Sequence, residues 1–83
     1  MNWPRLKEKL IQMKINHEPI MTPIRKYRNH IEEVGDNYVI LRSERTNITR
    51  KLTVSQIENG GDPHRHIKEI LKALADANCL QNP

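Results

Sequence analysis

The sequence predicts a small α+β domain: an N-terminal helix, a three-stranded antiparallel meander, then a short helix and a long C-terminal helix packed on one face of the sheet. Three observations predict it. Apolar residues recur at helical spacing near both ends of the chain. In the middle they alternate with polar residues, as a strand with one buried face requires. The connections between the middle segments are short, which restricts them to antiparallel pairing. The chain has 83 residues, so a single domain over 1–83 is expected. A domain of that size buries only about 60% of the surface its unfolded chain exposes. Phe is absent, and with one Trp and two Tyr the core falls to aliphatic residues.

The first helix is predicted from Trp3 to Lys14. Asn2 suits the N-cap, and Pro4 is tolerated in the first turn, where its missing N–H costs nothing. Trp3, Leu6, Leu10 and Met13 share one face; Arg5, Lys7, Glu8, Lys9 and Gln12 take the other. Pro19 and Pro23 then break the helix, leaving Ile20-Met21 as a short edge strand. From Arg25 to Val34, Tyr27, Asn29 and Ile31 alternate with Arg28, His30 and Glu32, which predicts a strand. Gly35-Asp36-Asn37 is a turn.

Tyr38 to Ser43 is the clearest strand. Val39 and Leu41 point to one face, and Tyr38, Ile40 and Arg42 to the other. After a turn at Glu44 to Asn47, Ile48 to Leu52 returns with Ile48, Arg50 and Leu52 on one side and Thr49 and Lys51 on the other. Thr53 and Gln56 form a capping box for a short helix that ends at Gly60-Gly61. Asp62-Pro63 is expected to open the last helix, whose stripe holds Ile67, Ile70, Leu71, Leu74 and Asn78. The helices are expected to cover one face of the sheet, because a meander cannot bury its apolar side alone. The other face stays open to a ligand.

Composition narrows the function classes. A single cysteine, Cys79, excludes an internal disulfide and a multi-cysteine zinc site. It suits a reducing compartment and reads as a small apolar filler. The longest apolar run, Tyr38 to Leu41, is too short for a membrane span, and the first residues lack a signal-peptide core. A cytoplasmic protein with no membrane contact is expected. Ser43 and Ser55 lack a nucleophile-elbow context. Glu32 and Glu33, adjacent in a strand, are expected to point to opposite faces and so cannot share a substrate. No catalytic residue, metal ligand set or cofactor loop is expected, and the domain reads as non-enzymatic.

Net charge is +4. Arg25, Lys26, Arg28, Arg42, Arg45, Arg50 and Lys51, seven of the fourteen cations, lie in the predicted sheet. Against Glu32, Glu33, Asp36 and Glu44 they leave that region at +3. It holds five of the seven arginines but two of the seven lysines. A guanidinium binds phosphate through two hydrogen bonds at once, which an ammonium cannot do. Tyr27 or Tyr38 offers a stacking surface for an unpaired base. These seven residues are the candidate nucleic-acid contacts, for DNA or RNA, with the hairpin around Arg45 at their centre. The competing expectation is that Glu32 and Glu33 neutralise Arg42 or Arg50 across the strands.

The helix–three strands–helix order resembles that of double-stranded-RNA-binding domains. The last helix here begins Asp62-Pro63-His64-Arg65-His66 rather than with that family's lysine-rich KKxAK-type run, so no residue is carried across. His64 and His66 read as ordinary exposed histidines, since residues two apart on a helix do not face each other. The alternative function is a protein–protein adaptor or homodimer with no nucleic-acid ligand, using the sheet edge near Pro19–Pro23.

Overall fold

A computed structural model of the chain describes residues 1–23 and 25–80, the last four by backbone alone. The elements run α1 (Trp3–Ile15), β1 (Ile20–Met21), β2 (Arg28–Val34), β3 (Tyr38–Ser43), β4 (Thr49–Thr53), α2 (Val54–Asn59) and α3 (Arg65–Leu80). The strands form one antiparallel sheet in the order β1-β2-β3-β4. The α+β class and the meander are as expected. The sheet has a fourth strand because the two-residue β1 pairs with the start of β2.

Local chemistry sets the helix starts. The Asn2 side chain accepts from the Arg5 N–H at 3.2 Å, capping α1. At α2 the Thr53 hydroxyl accepts from the Gln56 N–H, and the Gln56 side chain accepts from the Thr53 N–H, which completes the capping box. Gly60, at φ 65, ends α2 in a conformation that costs glycine least.

Amphipathic spacing decides the layers. Leu6, Leu10 and Met13 of α1 pack with Ile57 of α2 and with Ile67, Leu71 and Ala75 of α3 against Ile20, Ile31, Val39, Leu41 and Leu52 of the sheet. All three helices therefore lie on one face. Trp3, Ile70 and Leu74 flank that core half-buried. Burying each large aliphatic side chain contributes about 1.5–3 kcal/mol. The side chains of Asn78 and Cys79 lie outside the described residues.

Three expectations are corrected. First, β2 starts at Arg28 rather than Arg25, because Lys26 takes the left-handed conformation at φ 54 and turns the chain. Second, Asp62-Pro63 does not open α3. His64 sits at φ 63, so the helix begins only at Arg65. Third, the register between β2 and β3 slips between Ile31 and Glu33, a bulge that leaves Glu32 without a partner of its own. Simple alternation placed Glu32 and Glu33 on opposite faces. The bulge turns both outward, where Glu32 meets Arg42 and Glu33 meets Tyr38.

At the Gly35 turn the Tyr38 ring lies where a glycine Cβ would be. A Cβ added to Gly35 would stand 2.2 Å from Tyr38 Cε2. Thr53 follows directly opposite Tyr38 in β4, and the Val54 N–H donates to the Asn37 carbonyl at 2.8 Å, tying α2 to the same turn.

Candidate nucleic-acid interface

Strand alternation and the meander divide the seven candidate cations into three groups. Arg28, Arg42 and Lys51 project from the open face. Arg42 donates through Nε to Glu32 and through Nη1 to the Asn47 side chain at 3.0 Å, so it is neutralised. Lys51 places its ammonium 4.3 Å from the centre of the Tyr38 ring, whose hydroxyl donates to Glu33. That hydrogen bond to a carboxylate raises the Tyr38 hydroxyl above its ordinary pKa. Arg28 pairs loosely with Glu44 at 3.9 Å.

Arg50 goes the other way. It stands opposite Leu41 and shares the helix-side face of β4 with Leu52. Its side chain forms no hydrogen bond or ion pair among the described residues.

Arg25, Lys26 and Arg45 make the third group, and with Arg28 they surround Tyr27. The β1–β2 connection and the β3–β4 turn lie at the same end of the sheet, linked by the Glu44 N–H donating to the Arg28 carbonyl at 2.9 Å. The Thr22 hydroxyl accepts from the Tyr27 N–H at 2.9 Å and the Thr22 N–H donates to the Tyr27 carbonyl at 3.0 Å. This clasp fixes the tyrosine at the rim. The Arg45 guanidinium lies 4.8 Å above its ring, and Arg25 Nη1 donates to its hydroxyl at 3.4 Å. The Arg25 hydrogen bond holds the Tyr27 hydroxyl below its usual pKa.

Tyr27 divides two shallow depressions. One, of about 440 Å3, is lined by Met21, Lys26, Arg28, Glu44 and Arg45. The other, of about 220 Å3, is lined by Thr22, Pro23, Arg25 and His66. Glu44 is the carboxylate in the first, and it is shared: it also meets His30 Nε2 at 2.7 Å. The His30 contact, helped by Arg28, holds the Glu44 carboxyl below the usual range. Three cations in that depression thus share one carboxylate already engaged elsewhere.

No known family model, curated protein or solved structure matches the chain. What this rim can do has to follow from its own chemistry. Among the described residues no group of three His, Cys, Asp or Glu side chains is placed to hold a metal ion. No described helix is long and apolar enough to cross a membrane. The rim pairs spare guanidinium and ammonium donors with an aromatic ring in a shallow, open trough. Sequence reading named its cations but spread them along a hairpin. It did not bring α3 into the neighbourhood, where His66 shares the smaller depression with Tyr27.

Proposed function

We propose that this is a small non-enzymatic domain that binds nucleic acid at the Tyr27 end of its sheet. The observation that supports it is the gathering of Arg25, Lys26, Arg28 and Arg45 around one clasped tyrosine, with Glu44 alone to offset the three cations of the larger depression. The guanidinium and ammonium groups contact backbone phosphates, and the tyrosine supports an unstacked base. Arg42 and Lys51, engaged on the open face, contribute less than their charge suggests. A cytoplasmic setting belongs to this reading, since the chain's one cysteine suits a reducing compartment.

Fluorescence anisotropy with a labelled oligonucleotide across a salt series tests it. Phosphate-driven binding weakens linearly in a log–log plot against salt. An affinity that is absent at low salt, or independent of salt, overturns the reading.

A second reading, an adaptor or homodimer, is favoured by β4. This five-residue strand is the outer strand of the sheet, and exposed Ile48 precedes it. It offers a longer edge for strand addition than β1 does. Sedimentation equilibrium separates the two: a dimer without oligonucleotide affinity supports the second, a monomer that binds supports the first.

A further inference from the structure

On the helix side of the same sheet end lies a cleft of about 280 Å3 lined by Thr22, Arg50, Asp62, His64, Arg65 and His66. Its members come from three places in the sequence. Arg50 reaches it because alternation turns that residue inward on β4. His64 reaches it because its left-handed backbone halts the chain just before α3, with its carbonyl accepting from the Lys68 N–H at 3.0 Å.

The charges here are not balanced. The Arg50 guanidinium has no hydrogen-bond or ion-pair partner among the described residues. Behind the cleft, Lys68 is only 5% exposed, yet its ammonium donates to a neutral group, the Gly61 carbonyl, at 3.3 Å. Asp62 lines the cleft but forms no ion pair with any of these cations among the described residues. Arg65 is engaged along the helix with Glu69 at 3.4 Å.

We propose that this cleft is a phosphate-binding subsite in which Arg50 and His64 hold the phosphate group. The inference goes beyond the strand-binding reading because it requires only a phosphate, and it can fail or stand separately. The cleft shares Thr22 and His66 with the smaller Tyr27 depression, so a strand lying at Tyr27 has a direct path to it. The phosphate is either a diester of that strand or a terminal monoester; the chemistry of recognition is the same.

His64 reports occupancy. Burial first, then Arg50 and Lys68, hold its imidazole below the ordinary range. Arg65 and His66 of α3 also add positive charge when protonated, Thr22 is neutral, and Asp62 alone opposes them. A bound phosphate supplies the missing negative charge and moves His64 back upward.

The test is an NMR titration of the full chain with inorganic phosphate, against chloride at equal ionic strength. The His64 ring signals and the amides of His64 to Ile67 should shift saturably, and the His64 pKa should rise by about one unit. Arg50→Ala should weaken phosphate binding about tenfold, with the spectrum still dispersed. His64→Asn, which keeps a residue tolerant of the left-handed conformation, should remove the part of the pH dependence linked to the imidazole, leaving that of the phosphate's own ionisation, without touching β4. Equal shifts with chloride, or phosphate affinity unchanged in both variants, overturn the proposal. Oligonucleotides then identify the source. Tighter binding of a 5′-phosphorylated strand, lost in Arg50→Ala, assigns a terminal phosphate; equal binding of both forms, weakened alike by Arg50→Ala, assigns a diester. Saturable phosphate binding with no oligonucleotide affinity leaves the subsite standing and removes the strand-binding reading.

Discussion

The two ends of the sheet treat charge in opposite ways. At the Gly35 turn, Lys7 pairs with Asp36 at 3.3 Å, the Trp3 indole donates to the Asp36 carbonyl at 2.6 Å, and the Tyr38 hydroxyl donates to Glu33. The Lys7 and Trp3 contacts tie α1 to the β2–β3 turn, and the Val54 bond ties α2 to it as well. At the Tyr27 end the arginines gather against Glu44, and Arg50 and Lys68 lie nearby without carboxylate partners. The first end spends its polar groups on holding helices to strands. The second has more cations than carboxylates among the described residues. Of these cations, Arg25, Lys26 and Arg45 lie in exposed connections, where an unbalanced charge costs little folding energy.

The largest expected effect separates the ends by binding. Lys26→Ala with Arg45→Ala should lower oligonucleotide affinity about ten- to hundredfold at low salt and reduce the salt slope by roughly two. Lys7→Ala at the opposite end should leave affinity unchanged and alter stability by less than about 1 kcal/mol, since exposed ion pairs contribute little. Anisotropy with both variants checks the pair, and equal losses would erase the distinction.

Gly35→Ala tests the other end by stability. The added Cβ forces the Tyr38 ring from its seat and disturbs its bond to Glu33. Unfolding in urea should show a loss of about 1–3 kcal/mol, the range for overpacking, with no change in oligonucleotide affinity. An undiminished stability would mean that the Tyr38 seat contributes nothing.

Glu44→Gln should sharpen the contrast by removing the carboxylate that partly neutralises the rim. Affinity at low salt should rise about threefold, while Asp36→Asn leaves it alone. The same variant alters the acid side of the stability curve. Glu44 titrates below its unfolded value, so it stabilises the fold above the ordinary carboxylate pKa. That contribution is lost as pH falls through the folded value, and the Gln variant should lack this part of the decline.

The smallest effect concerns His64. Its folded pKa lies below the ordinary 6.5. As pH falls below that value the unfolded chain takes up the proton first, so stability declines until the folded pKa is passed. His64→Asn should flatten this segment of a thermal-unfolding series. A decline of unchanged size would place its source elsewhere.

Much of the fold was legible without coordinates. Helical spacing of Leu6, Leu10 and Met13, the Thr53–Gln56 capping box, and the inward set Val39 and Leu41 all follow from interactions within a few residues. The outward set Tyr38 and Arg42 was legible for the same reason, and so was the split between Arg50 and Lys51. The errors arose where backbone conformation broke a local period. Left-handed Lys26 and His64 moved the starts of β2 and α3, and the bulge before Glu33 carried both carboxylates to one face.

The sequence by itself determined the class of the domain, its element order and the sidedness of the unbulged segments, because period and capping are properties of short stretches of chain. Only the tertiary structure decided which cations remain without partners. It paired Arg42 with Glu32 across a bulge, gathered Arg25, Lys26, Arg28 and Arg45 at Tyr27, and set Arg50 beside His64. Charge balance depends on distances between residues far apart in the chain, and closure of the sheet against the helices sets those distances.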